Sequence, residues 1–243
     1  MTTSRSISAD VLTGALSQSD FPSGISLPGG GGKFASDGSL LNWPGNTFIC
    51  HVDRKSSAFD AICSLQEEVK MSSFSRFFFF LPAPSFHMTV FQGVSPEPMN
   101  DSQVPKQCLH GEPRDAYTDA MLSHVGNLTF APERRVSVAN VYCCHSLTVK
   151  GLFQSDDTPL RQMRTSLRSA TGIEPEDFDD YVFHITLAYL AHWLTEQTAQ
   201  KVLEFSAQLT EKYRHDLQDV PLGPVEFCNF ETMHHFDSIK KLV

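Results

Sequence analysis

The chain has no long apolar run. No stretch approaches the ~18 consecutive apolar residues of a membrane span, and the N-terminus lacks the apolar core of a secretory signal. An intracellular, cytoplasmic protein without membrane partners is the expectation. The sequon Asn127-Leu128-Thr129 carries little weight without such a signal. Positive charge is also scarce, with 19 Lys and Arg against 28 Asp and Glu and a net charge of -9. A non-specific duplex binder needs a basic stripe, so duplex nucleic acid is not an expected partner. A small nucleotide or an RNA end held in a local pocket remains compatible. The six cysteines (50, 63, 108, 143, 144 and 228) contain no Cys-x-x-Cys pair, so a zinc ribbon or thioredoxin-like motif has no support. Cys50, Cys143 and Cys228 lie in apolar, strand-like runs and read as buried free thiols. Aromatic residues other than phenylalanine are few: 19 Phe against 5 Tyr and 2 Trp, which implies a Phe-rich core.

A phosphate-loop motif is missing too. Gly29-Gly30-Gly31-Gly32-Lys33 invites that reading, but its spacing needs glycine where Leu27 stands and Ser or Thr where Phe34 stands. Residues 1–32 are rich in Ser, Gly and small polar residues and read as a flexible leader. Residues 33–243 read as a single domain of two lobes, roughly 43–130 and 131–243.

What is present is a repeated order of elements. Residues 47–52 read as a strand. Ser56 or Ser57 caps a helix reaching Met71, and residues 76–81 and 86–94 read as strands. A helix is expected over residues 115–125. The second unit offers a hairpin over 135–142 and 146–153, a helix over 158–171 stopped by Gly172, and a strand over 181–190. Thr195 caps a helix to about Arg214, and strands over 225–230 and 235–239 end the chain. Strand, helix and a histidine-bearing strand therefore occur twice, which suggests two α+β lobes of similar build.

The two histidine strands read Phe86-His87-Met88-Thr89-Val90 and Phe183-His184-Ile185-Thr186-Leu187, 97 residues apart (184 − 87). Successive side chains of a strand face opposite ways, so each His and the Thr two residues on share one face. Facing each other, two His and two Thr would converge on one cleft. Hydrolysis of a phosphodiester needs a base for the attacking water and an acid for the leaving oxygen. Histidine suits both near neutral pH, and Thr hydroxyls can donate to the phosphoryl oxygens. Two core histidines satisfied by backbone are the plain alternative. Phe91 shares the parity of His87 and Thr89 and could stack on a base, or simply pack. Tyr189 has the opposite parity to His184 and is expected in the core unless a bulge intervenes. His234-His235 and Cys143-Cys144-His145 offer no third or fourth ligand at sensible spacing, so no metal and no cofactor are expected. Lys33 and Arg76 read as solvated surface residues, with phosphate contact the lesser alternative.

These twin motifs resemble those of the 2H phosphoesterase superfamily, which includes cyclic nucleotide phosphodiesterases and RNA ligase-like and RNA-end-processing enzymes. The flanking residues resemble more closely a subfamily with a domain of unknown function: Lys33-Phe34, Asp37-Gly38, Pro44-Gly45-Asn46-Thr47, His87 through Gly93 and Phe183 through Leu190. The resemblance covers roughly residues 33–240. It implies a bilobal α+β fold with pseudo-two-fold symmetry, antiparallel sheets lining a central cleft and helices outside. It implies His87 and His184 as acid and base, with Thr89 and Thr186 on the phosphate. The expected activity is a metal-independent phosphodiesterase acting on a cyclic or linear diester, a 2′,3′-cyclic nucleotide or RNA end above all, as a monomer. A nucleotide-binding module without turnover and a metallohydrolase are the alternatives.

Overall fold

The computed structural model describes residues 9–26, 31–97, 99–153 and 157–243. Ten strands, five α-helices and three single-turn 3-10 helices make up the regular structure of those residues. In chain order they are α1 (Ala9–Thr13), β1 (Gly45–His51), α2 (Ser57–Met71), β2 (Phe78–Phe80), β3 (His87–Gln92), α3 (Arg114–His124), β4 (Arg134–Tyr142), β5 (Ser146–Gly151), α4 (Asp157–Thr171), β6 (His184–Thr186), β7 (Ala188–Leu190), α5 (Glu196–Tyr213), β8 (Val220–Leu222), β9 (Glu226–Thr232) and β10 (His235–Lys241).

Local chemistry explains the helix boundaries. The Ser56 hydroxyl accepts from the Phe59 amide to open α2, and the Thr195 hydroxyl accepts from the Thr198 amide to open α5. Gly172 closes α4 at φ +76°, a conformation that costs a residue with a Cβ.

Eight strands join in one antiparallel sheet, in the order β10-β9-β1-β3-β6-β5-β4-β8. The two histidine strands are its central neighbours. The α+β class and the sheet-lined cleft expected from the sequence hold; in place of the two expected lobes, each with its own sheet, β3 and β6 pair within one continuous sheet. The C-terminal hairpin β9–β10 crosses back to pair with β1, so a lobe boundary at residue 130 does not follow the pairing. The sheet curls. Its edge strand β8 returns to the end of β1, where Val52 bridges Leu222 and the Gly223 amide donates to the His51 carbonyl at 2.8 Å.

The core lies on the convex side, under the helices. Met88, Val90, Ile185 and Leu147 are buried there with Ile62, Leu65, Val202 and Leu167. Burial of this size dominates stability, at about 25 cal/mol per Å² of apolar surface. The phenylalanines contribute as expected, with Phe48 stacked on Phe227 at 4.6 Å. Cys50, Cys143, Cys144 and Cys228 are buried, and Cys63 and Cys108 are half-buried. Cys143 and Cys144 form the left-handed turn between β4 and β5 rather than strand.

Two expectations need correction. Residues 9–26 are not a free leader: α1 packs against α5, Leu12 is fully buried, and the Leu194 amide donates to its carbonyl at 2.9 Å. Residues 1–8 and 27–30 of the 1–32 segment, with Gly29 and Gly30, lie outside the described residues. The expected strand over 181–190 is two strands in two sheets. At Leu187 the chain leaves the large sheet, and β7 pairs instead with β2. The Leu187 and Ala188 amides both turn to the His145 carbonyl, while the buried Gln66 amide on α2 donates to the Leu81 and Leu187 carbonyls. A side chain from a distant helix stabilises that break, which no local pattern announces.

Candidate active site

In β3 and β6, alternation places Met88, Val90 and Ile185 in the core and turns His87, Thr89, His184 and Thr186 to the concave face. All four line one open cavity of about 350 Å³. The antiparallel pairing puts Met88 opposite Ile185. It therefore sets His87 beside Thr186 and Thr89 beside His184. The two histidines occupy one diagonal of this four-residue array and the two threonines the other. Diagonal neighbours on such a pair lie ~7–8 Å apart at the backbone, room for a phosphoryl group between the imidazoles.

Both imidazoles are anchored in the same way. His87 Nδ1 lies 2.7 Å from the Ser85 carbonyl, and His184 Nδ1 lies 2.8 Å from the Val182 carbonyl. A carbonyl only accepts, so each Nδ1 carries the proton and each neutral ring has Nε2 as its acceptor. The anchor sits two residues before the histidine in both strands, so the motif and its support repeat together.

The neighbours of the two rings differ. His87 meets the Phe236 ring edge-on at 4.3 Å, and the His51 ring lies 6.2 Å away on β1. Burial pushes the His87 imidazole down to about 4; its bond to Ser85 opposes this, and the fields of His51 and His184 add to it. Burial also lowers His51, opposed by Glu226, whose carboxylate lies 3.6 Å from His51 Nδ1. His184 has Tyr181 at 6.0 Å. The Tyr181 hydroxyl donates to the Thr89 carbonyl at 3.3 Å, and burial raises it to about 12. Tyr181 therefore stays a neutral donor that steadies the β3 backbone.

Beneath Thr89, the wholly buried Arg164 donates to the Val90 carbonyl at 2.8 Å and lies 3.8 Å from the centre of the Tyr181 ring. Its Nε and Nη2 have no hydrogen-bond partner among the described residues. Desolvation lowers the guanidinium, which remains charged at any physiological pH.

Phe91 does not reach the cavity. It is fully buried against Phe48 and Arg164. Between Phe48 and Ile49 the β1–β3 register shifts, pairing Phe48 with Phe91 and Ile49 with Thr89. Val90 is the extra residue of that bulge, and the parity of every later residue inverts. The break at Leu187 has the opposite effect on Tyr189, which lines the cavity instead of entering the core. Lys33 also lines it, 5.8 Å from the Trp43 ring and 5.4 Å from the Tyr189 ring. Sequence reading missed Tyr181, Arg164, His51, Trp43 and Phe236, because their proximity to the motifs is created by pairing and packing. Arg76 sits against Phe77 and does not line the cavity.

Asn46, Thr47 and Gly93 complete one end. Asn46 is buried; its Oδ1 accepts from the Val94 amide at 2.9 Å and its Nδ2 donates to Thr118 at 3.1 Å. A Cβ at Gly93 would overlap Asn46 Oδ1, so this close crossing of β1 and the end of β3 requires glycine. Among the described residues, no three His, Cys, Asp or Glu side chains gather as a metal-ligand group, and no helix is long and apolar enough to cross a membrane.

No curated protein matches the chain. Among solved structures, a conserved protein of unknown function from Agrobacterium tumefaciens str. C58 is similar, at 27% sequence identity and a TM-score of 0.86. The alignment covers 97% of this chain and 98% of that one. Residues 33–146, which include the first histidine motif but not the second, match the 2H-phosphodiest family model, described as a domain of unknown function (DUF1868). The resemblance read from the motifs thus holds over residues 33–146, which are similar to that family of unknown function.

Proposed function

We propose that the protein is a metal-independent phosphodiesterase that hydrolyses a cyclic or linear nucleotide diester, with His87 and His184 as the acid–base pair. The observation that carries this reading is the diagonal array: two imidazoles of fixed and identical tautomer flank two hydroxyls on one cavity wall. The Nδ1 anchors leave Nε2 of each ring for proton transfer. One ring takes the proton of the attacking water, and the other protonates the leaving oxygen. Thr89 and Thr186 donate to the non-bridging oxygens as their charge grows, and Lys33 supplies the nearby cation. The functional unit is the 33–243 domain with residues 9–26 packed onto it. A small nucleotide or an RNA end is the substrate, and the protein acts as a monomer. The family match to residues 33–146 supports the phosphoesterase class.

The test is hydrolysis of the four 2′,3′-cyclic mononucleotides in EDTA by the wild type, His87→Ala and His184→Ala. Each substitution should cost on the order of 10²–10⁴ in rate, the usual contribution of a positioned acid or base, with the fold retained. Full turnover in either variant would remove that histidine from the chemistry. Affinity without turnover in the wild type would replace the enzyme with a nucleotide-binding module. Activity abolished only by chelators would replace it with a metallohydrolase.

A further inference from the structure

A second open cavity of about 580 Å³ adjoins the first, and Lys33, His184, Thr186 and Tyr189 line both. His87 and Thr89 line only the first. The array therefore sits at a junction, and its two halves are not equivalent: the β6 half faces both spaces and the β3 half faces one. The far wall of the second cavity is the N-terminal segment, including Val11, Leu16, Pro22 and Ser23. That segment is fastened in place. Trp193 Nε1 donates to the Ser19 carbonyl at 3.0 Å, and a Cβ on Gly14 would lie 2.6 Å from the Trp193 ring. Residues 9–26 thus wall a compartment that the β-sheet alone would leave open.

We infer that the cleft takes a linear diester with a nucleoside on each side of the phosphate, the leaving nucleoside occupying the second cavity, so that His184 is the acid and His87 the base. This rests on the phosphodiesterase reading above. A 2′,3′-cyclic phosphate carries its leaving oxygen on the same ribose and fills only one space. A linear diester has a separate leaving alcohol. The second cavity suits an uncharged one: Tyr142, Tyr189 and Trp193 present ring surface for a base, and Ser146 and Thr148 present hydroxyls. Asp10, also in its wall, disfavours a further phosphate there.

The step balances. The water oxygen bonds to phosphorus while the bond to the leaving oxygen breaks. His87 Nε2 takes the water proton, and His184, entering the step as the imidazolium protonated from solvent, gives its Nε2 proton to the leaving oxygen and becomes the neutral Nδ1–H ring. A phosphomonoester and an alcohol result, and proton exchange with solvent resets the rings. The lowered proton affinity of the half-buried His87 agrees with its role as acceptor.

The experiment compares a 3′,5′-linked dinucleoside monophosphate with the 2′,3′-cyclic mononucleotide, in the wild type and in Ser23→Trp, which fills the second cavity from an exposed position. The linear-to-cyclic ratio of kcat/KM should fall about tenfold or more in Ser23→Trp, the size expected for losing a bound ring. In parallel, a nucleoside 4-nitrophenyl phosphodiester tests the acid. Its phenol leaves without a proton, so His184→Ala should lose less than about tenfold on it and on the order of 10²–10⁴ on the dinucleoside. His87→Ala should lose heavily on both. An unchanged ratio, or a linear ester that is not cleaved while the cyclic one is, overturns the two-cavity assignment and leaves the phosphodiesterase standing. The reverse leaving-group pattern overturns the acid and base roles. No turnover of any of the three esters refutes both readings.

Discussion

Lowering the pH from 7 to 4.5 should weaken the fold through His87. In the folded protein burial holds this imidazole near 4, against 6.5 for the free side chain. Between those values the unfolded chain binds the proton and the folded chain does not. Stability is therefore intact above about pH 6.5, falls as the pH drops below it, and the loss completes near pH 4. Each pH unit of that interval is worth about 1.4 kcal/mol, or about 3 in total, which solvent at the cavity face reduces to about 2. Such a loss is a large part of a typical 5–15 kcal/mol of stability. Urea unfolding at pH 7, 5.5 and 4.5, for the wild type and His87→Asn, measures it. Asn keeps a polar group beside Ser85 but does not titrate. The wild type should lose about 2 kcal/mol more than the variant over that range. Titration of His51, lowered by burial and opposed by Glu226, is common to both proteins and cancels in the comparison. Parallel stability curves would show that the ring is solvated and that its proton affinity is ordinary. The proposal that His87 is a ready base at weakly acidic pH would fall with it.

The threonines should matter to rate and not to folding. Thr89→Val and Thr186→Val, nearly equal in volume, are each expected to lower kcat by roughly 10²-fold, as for removal of one oxyanion donor, with urea midpoints nearly unchanged. Arg164 gives the opposite pattern between two substitutions. Both Arg164→Ala and Arg164→Met strip the Val90 carbonyl of its donor, at about 1–3 kcal/mol; Ala also opens a cavity, for about 3 kcal/mol or more in all, whereas Met fills the space and removes two unpartnered nitrogens, and should cost at least about 1 kcal/mol less than Ala. Chemical denaturation distinguishes them, and equal losses would refute the packing argument. Gly93→Ala should cost about 1–3 kcal/mol, because its methyl collides with Asn46 where β1 and β3 are held together. A thermal midpoint equal to that of the wild type would mean that the crossing has slack.

How much of this was legible in the sequence depends on how local the cause is. The Ser56 and Thr195 caps, the β4–β5 hairpin and the first His-x-Thr strand are written in adjacent residues, and each element ends within a few residues of its expected place; the second His-x-Thr strand begins near its motif but stops at Thr186. Parity was legible only until something non-local interrupted it. The Val90 bulge turned Phe91 from a candidate base-stacking ring into core, and the Leu187 break brought Tyr189 to the cavity. Both interruptions depend on partners far along the chain: the shifted β1 register in one case, Gln66 and His145 in the other. The small polar residues of the 9–26 segment disguised its docking, which depends on Leu12 and on Trp193 nearly 180 positions away in the chain. Glycine there signals close approach to an indole, and composition cannot distinguish that from flexibility.

The proposed acid–base pair raises a chemical problem, because acid and base must differ while the two strands are built alike. The backbone does not separate them. Each ring is fixed by a carbonyl two residues back, each pairs with a threonine across the strand, and the relation between them is two-fold about Met88 and Ile185. The difference comes from what surrounds this array. Phe236 from the returning C-terminal hairpin covers His87, and His51 adds a like charge whenever it is protonated, so both favour the neutral ring. His184 instead opens onto both cavities, one of them walled by the N-terminal segment. The two chain ends therefore break the symmetry that the motifs share. Exchanging the surroundings should exchange the bias: Phe236→Ala, by admitting water to His87, should raise its proton affinity and move the acidic limb of kcat/KM to higher pH. An acidic limb that does not move would assign the low proton affinity of His87 to the sheet itself, and the hairpin would then have no part in setting the roles.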